Sequence, residues 1–408
     1  MDRTEIAIAG GGVIGLTIAL RLASAGREVT LIDPNPPGSG ASYGNAGTLA
    51  HYAVAPVGTP AVLRDLPNLF LNPDSPLALR LAALPQLTPW LLRFVAQSGE
   101  RAARRNAEAI SSLLRTCLED WRDVAAEAEA KAFFVSAGML HLFPSHKALD
   151  ASWSEAVGRE HGVRQESLSA PEVRQLEPHL KAEGPGVFFP DAVHVTDPGK
   201  LMAHLAAAVE ARGVRILRGR ITAVDAGPPL RLSGDGVALA ADRLVIAAGA
   251  FSKPLAAMAG DQVPLETERG YHIEFPMETP RLSRPVSPAD VGFYMTPMEG
   301  RLRVAGTVEL GGLKAPATRR RLDLLRRGAG RYFDGLGEPV DPWLGFRPSL
   351  PDSRPVIGPS SASANIIYAF GHGHLGLTLA AVTARLVTGL VNDQADPAAL
   401  APFSARRF

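Results

Sequence analysis

Residues 5–33 read EIAIAGGGVIGLTIALRLASAGREVTLID. A short apolar run, Ile6 to Ala9, meets the turn Gly10-Gly11-Gly12. An apolar stretch from Val13 to Ala25 at helical spacing follows, and a second buried run ends at Asp33. Strand, glycine turn, helix and strand in that order predict the βαβ unit of a parallel sheet. In the Gly10-x-Gly12-x-x-Gly15 pattern, Gly10 permits the tight turn. Gly12 clears the backbone for a pyrophosphate, and Gly15 lets helix and strand pack closely. The helix start at Val13 and Ile14 offers amide N–H groups and a positive dipole end. Asp33, 23 positions after Gly10, is placed to accept hydrogen bonds from ribose hydroxyls. It would repel a 2′-phosphate, and the following Pro34-Asn35 brings no arginine. An adenine dinucleotide without that phosphate is the expected ligand.

Outward from this unit, the chain changes character twice. Pro34 to Pro60 is a long loop rich in Gly, Pro, Ser and Asn, and loops of that length are usually functional. Glu100 to Ala130 has one apolar helical face (Ile110, Leu113, Leu114, Cys117, Trp121, Val124). The runs at 138–143, 186–190, 270–275, 292–296 and 302–308 are short and partly alternating, which predicts antiparallel strands. Asp197 to Arg212 is helical, with Pro198 in its first turn and Gly213 beyond its end. Arg243 to Ala248 and Ile366 to Phe370 read as buried strands, the latter leading through Gly371-His372-Gly373-His374-Leu375-Gly376 into a helix. The expected class is α/β plus antiparallel β. A Rossmann-like dinucleotide domain would comprise 1–88, 191–260 and 345–408. A mixed or antiparallel-sheet substrate domain would comprise 89–190 and 261–344.

Composition narrows the function. The chain has 408 residues, with 40 glycines and 34 prolines, above the usual ~7% and ~5%. Its 42 basic and 41 acidic residues leave a net charge of +1, which gives no footprint for nucleic acid. The basic clusters at 101–105, 319–321 and 326–327 are each followed by acidic residues and read as solvated helix faces. One cysteine, Cys117, excludes an intrachain disulfide or a cysteine-ligated cluster. His372 and His374, two apart in a glycine loop with no third ligand in view, do not make a metal site. No signal peptide and no spanning helix are expected. The anticipated location is the cytoplasm, with a peripheral contact at the inner face of the membrane through Leu77 to Val95, where Trp90 and Phe94 accompany many leucines.

Several segments, in order, resemble the FAD-dependent D-amino acid oxidase superfamily, most closely its bacterial D-amino acid dehydrogenase and D-hydroxyproline dehydrogenase branch. They are GGGVIG with Asp33, SYGNAG at 42–47, ADRLVIAAGAFS at 241–252, RGYHIEF at 269–275, RLRVAGTVEL at 301–310, WLGFRPSLPDSRPVIG at 343–358 and GHGHLGLT at 371–378. The resemblance implies a Rossmann-like FAD domain of the glutathione-reductase type and FAD as cofactor. It lays Ser42, Asn45, Ala46 and Gly47 along the flavin, Ile221 against the adenine, and Ala248-Gly249 at a second FAD-binding strand end. The segment Gly371 to Gly376, with Thr378 beyond it, would stabilise charge at one edge of the flavin.

The same resemblance implies hydride transfer from the α-carbon of an amino acid to flavin N5. Arg347 would bind the carboxylate through its planar guanidinium, and Tyr271 would donate to the same group or close the pocket. Tyr294 and His51 are further candidates, and Tyr52 follows His51 near the flavin. Arg269 is expected to face elsewhere. Tyr271 and His272 alternate, so only one of them can face the flavin. Small neutral or cyclic D-amino acids, such as D-proline or cis-4-hydroxy-D-proline, are the anticipated substrates, with a quinone as acceptor. No acidic residue stands out for a basic side chain. The alternatives are a glycine, sarcosine or other secondary-amine oxidase using oxygen, a flavoprotein subunit of a larger complex, and an NAD-dependent dehydrogenase.

Overall fold

The computed structural model describes residues 2–72 and 74–408. The buried run Asp2–Ala9 pairs in parallel with Val29–Asp33 on one side and Val237–Ile246 on the other. Arg215–Arg218 adds a further parallel strand beside Val29–Asp33. Val237–Ile246 divides its second edge. Its first half takes the antiparallel strand Leu230–Asp235, and its last residues take the parallel strand Ile366–Phe370. Start, middle and end of the chain thus build one eight-stranded sheet.

A second sheet has nine strands. Val340–Ser349, Glu266–Pro276, Arg301–Leu310 and Phe293–Met298 lie side by side in antiparallel order. Val286–Pro288, Met139–Leu142, Gly186–Phe189 and Glu166–Leu168 continue it. A three-stranded sheet of Thr48–Leu49, Val193–Val195 and Phe134–Val135 lies apart from both.

Two pairings depart from the expected division. Leu77–Leu79 lies parallel to Val308–Leu310 in the second sheet, although 1–88 was assigned to the dinucleotide layer. Residues 345–349 likewise belong to the strand Val340–Ser349 of the second sheet, not to the first. The long helix Glu100–Glu127 departs in the other direction. Its apolar stripe covers the C-terminal helix Gly376–Val391, and Trp121 Nε1 donates to the Leu377 carbonyl at 2.8 Å. An amphipathic stripe shows that a helix is covered, not which layer covers it.

Gly373–Val391 is long and apolar enough to cross a membrane by length and composition. In this fold it is a core element, packed with Val13–Ser24 and Glu100–Glu127. In the helix Leu84–Gln97, Trp90 and Phe94 stack at 5.2 Å and are buried with Leu87. Among the described residues, Leu81, Leu92 and Val95 are the large apolar side chains of this region left in solvent.

Candidate active site

The glycine turn forms as its spacing demands. Gly10 has φ +114°, and a Cβ there would lie 2.4 Å from the Ala247 carbonyl oxygen. A Cβ on Gly15 would lie 1.9 Å from the Gly10 carbonyl oxygen, so Gly15 serves helix–strand packing and does not line the cavity. At Gly12 the nearest atom to an added Cβ is Ser42 Oγ at 3.3 Å, so that position opens onto free space. Gly12 caps the helix Val13–Ser24 without a side chain, and Ser42 Oγ accepts from the Val13 amide at 2.9 Å. Asp33 accepts from Gly11 N at 2.7 Å and from Asn35 N at 2.8 Å. Each of its oxygens keeps a lone pair for a ribose hydroxyl.

A cavity of about 850 Å³ runs from this turn along the loop after Asp33. Gly10, Gly12, Val13, Ile14, Asp33 and Pro34 line one end. Ile221, Ala248 and Gly249 line its side, and Ser42, Asn45, Ala46 and Gly47 line its middle. Asn45 shapes this loop. Its side-chain amide donates to the Ser42 carbonyl, and its side-chain oxygen accepts from Gly47 N, both at 2.6 Å. The small residues here serve the protein's own packing as well. A Cβ on Gly44 would lie 2.3 Å from the Trp343 ring, and one on Gly47 2.7 Å from the Met298 methyl.

At the far end, His372, Gly373, His374 and Gly376 line the cavity where the helix Gly376–Val391 begins. Its first residues carry no side-chain cap, so its amides and dipole face the cavity end. Burial holds His372 down to about 3, while His374 is open to the cavity, where the Arg347 charge also lowers its pKa. His372 is a neutral imidazole at neutral pH. Besides Gly15, three residues expected at the cofactor lie outside the cavity wall. Leu375 is a core residue, and Gly371 packs on Leu350. Thr378 Oγ1 accepts from Ala50 N at 2.9 Å, which ties the long loop to the C-terminal helix.

Arg347 lies opposite Glu268 in the strand pair Glu266–Pro276 and Val340–Ser349. Its guanidinium crosses over Gly270, and Nη1 donates to the Thr307 carbonyl at 2.9 Å. Among the described residues, no carboxylate lies within ion-pair distance of it. Asp352, the rival partner nearby in sequence, binds Arg354 and Arg407 instead. Burial lowers the Arg347 pKa below its ordinary value, opposed by the nearby Glu268 and Tyr294. The guanidinium keeps surface on the cavity. An enclosed cation without a fixed counter-ion is a ready site for a ligand carboxylate.

Tyr271 departs from expectation. Its ring reaches the cavity, but its hydroxyl donates to Glu309 Oε2 at 2.6 Å and accepts from Thr318 N. Arg269 pairs with the same carboxylate at 2.9 Å. Burial alone would raise Glu309, but hydrogen bonds from Thr318, Tyr271 and Arg80 and the charge of Arg269 hold it low. A buried arginine needs this counter-ion, so the phenol is spent inside the protein. His272 turns away from the cavity, stacks on Trp343 at 5.1 Å, and sets Nδ1 3.0 Å from the Gly44 carbonyl.

Tyr294 lines the cavity. Burial raises its pKa, so its hydroxyl stays protonated and able to donate. His51 lies outside the wall, edge-on to Tyr52 at 5.7 Å, and Tyr52 lines an adjoining chamber in its place. Sequence reasoning missed Glu268. It lines the cavity beside Arg347, and burial raises its pKa. Only its position opposite Arg347 across two strands reveals it.

The sequence pattern of the family described as FAD dependent oxidoreductase matches residues 5–390. The D-amino-acid oxidase of Bradyrhizobium diazoefficiens is 38% identical, over 99% of both chains. The D-amino acid dehydrogenase of Methylobacterium nodulans is 31% identical, again over 99% of both. In fold, the chain is similar to the glycine oxidase of Geobacillus kaustophilus, with a TM-score of 0.80, 24% identity and full coverage of both chains. The dinucleotide turn, the open Gly12 position, Asp33 and the uncapped second helix fit FAD from its adenosine end to its flavin end. The chain belongs to the FAD dependent oxidoreductase family and uses FAD.

Proposed function

We propose that this chain oxidises a D-amino acid at its α-carbon to the imino acid. The observation that carries the reading is Arg347, a cavity-lining guanidinium hydrogen-bonded only to the Thr307 carbonyl among the described residues. FAD, when bound, supplies the acceptor for the two electrons that leave with the α-hydrogen. Arg347 grips the substrate carboxylate through two parallel hydrogen bonds. Tyr294 donates its phenol beside that grip. The amine loses its proton as it enters, since only the neutral amine has the lone pair that pushes the hydride out.

Small neutral and cyclic D-amino acids, D-proline and cis-4-hydroxy-D-proline among them, need no partner beyond this grip. The relatives named D-amino-acid oxidase and D-amino acid dehydrogenase support the class of reaction. We favour a quinone as acceptor, met at the membrane surface through the outward residues Leu81, Leu92 and Val95. The second reading is an oxidase using oxygen, favoured by the higher identity to the D-amino-acid oxidase.

Anaerobic addition of D- and L-amino acids to the holoenzyme tests the reading. Bleaching of the flavin bands by D-forms alone is expected, and bands that no D-amino acid bleaches would overturn it. Reoxidation of the bleached enzyme by a soluble quinone much faster than by air supports the quinone. Fast hydrogen peroxide release supports the oxidase.

A further inference from the structure

A second chamber of about 180 Å³ adjoins the main cavity, sharing Val57, Tyr294 and His374 with it. At about 30 Å³ per water-sized group, it has room for roughly six such groups. Its wall is aromatic. Tyr52 stacks on Phe189 at 4.4 Å, and His141 meets both edge-on at 5.6 and 5.2 Å. Tyr294 lies 6.5 Å from His141.

Into this chamber the short helix Trp153–Glu160 brings one carboxylate, Glu155, from its first turn. Glu155 is buried. Its Oε1 lies 2.8 Å from His141 Nδ1. No lysine or arginine among the described residues reaches it within ion-pair distance, and no hydrogen bond there engages Oε2. The Tyr52 ring is buried in the same wall, and its hydroxyl faces that of Tyr294. A buried carboxylate without a fixed cation costs stability unless a ligand completes it. Aromatic faces around a carboxylate favour a cation over a neutral group.

We propose that this chamber binds the cationic end of a basic D-amino acid, with Glu155 as counter-ion and Tyr52, Phe189 and Tyr294 as its aromatic wall. The inference rests on the D-amino acid reading above and names its substrate class. Arg347 holds the carboxylate at one end of the substrate. Glu155 holds an ammonium or guanidinium at the other, and Tyr294 stands between the two. An aminobutyl or guanidinopropyl side chain is within the volume the chamber offers. Small neutral D-amino acids still react, but leave it empty.

Two measurements on the holoenzyme test this. First, kcat/KM is compared for D-lysine against D-norleucine and for D-arginine against D-citrulline. A preference for the cationic member of at least tenfold is expected. Second, calorimetry gives Kd for 6-aminohexanoate and hexanoate, which carry the carboxylate without an oxidisable α-amine. The ammonium should tighten binding at least tenfold, and Glu155→Gln should remove most of that difference. The wild-type comparisons stand by themselves if the variant does not fold. Equal kcat/KM within both pairs, or equal Kd for the two acids, would overturn the assignment. D-Alanine and D-methionine separate the two levels. If they bleach the flavin and no cation preference appears, only the chamber assignment falls. If no D-amino acid bleaches it, both fall.

Discussion

Gly270 and Arg347 are in direct contact across neighbouring strands, so that a Cβ on Gly270 would lie 2.4 Å from Cζ of Arg347. The glycine is a groove in which the guanidinium rests. Its backbone does not need the left-handed region, so alanine is conformationally acceptable there. Gly270→Ala should leave flavin content intact and raise KM for the amino acid at least tenfold, the equivalent of about 1.4 kcal/mol. Unchanged KM in steady-state assays would mean that the guanidinium is not held by this groove.

Removal of the guanidinium itself should cost more. A charged hydrogen-bonded pair is worth roughly 2–5 kcal/mol. Arg347→Ala should therefore raise KM for carboxylate substrates by two orders of magnitude or more, with flavin still bound. Arg347→Lys should recover part of the loss, since it restores charge but not the planar fork.

The two helix-start glycines should separate cofactor binding from folding. Gly12→Ala adds a methyl only where open space and Ser42 Oγ lie. It should fold, with FAD Kd raised at least tenfold in fluorescence titration. Gly15→Ala drives a methyl to 1.9 Å from a backbone carbonyl. It should lower Tm markedly or give insoluble protein, whatever the FAD supplied.

Acid should weaken the fold before the carboxylates titrate. Burial holds His194 and His272 down to about 4 and His372 to about 3, against an ordinary 6.5. Unfolded imidazoles take up protons as the pH falls through 6.5, and the folded ones do not until much lower. The unfolded state is thereby favoured, so stability is steady above about pH 7 and falls from 6.5 towards 4. Thermal melts across this range should show that slope. His272→Gln should lower Tm at pH 8, yet lessen the drop between pH 6.5 and 4.5.

What the sequence made legible depended on the reach of each interaction. Gly10, Gly12, Gly15 and Asp33 interact within one βαβ unit, and their spacing alone describes their geometry. The commitment of the Tyr271 hydroxyl could not be read, because Glu309 and Thr318 come to it from distant segments. Glu155 was invisible for a related reason. It sits in a short helix of ordinary surface composition and enters the chamber only through packing beside His141. The helix Glu100–Glu127 was recognisable by its stripe, but its partner, Gly376–Val391, lies hundreds of residues away. Glu268 and Arg347 became neighbours only once the register of two strands was known.

The strand bearing Arg347 ends at Ser349, and the chain enters the first sheet at Val356. Between these points Asp352 is clamped by both Arg354 and Arg407. The proposed grip at Arg347 and the sheet that floors the cofactor cavity are thus joined by a short, cross-braced strut, like the fixed jaws of a vice. On the proposed reading, the spacing between Arg347 and the cofactor cavity is set by the backbone. On that reading, a change of substrate calls for resurfaced chamber walls and leaves the strut as it is.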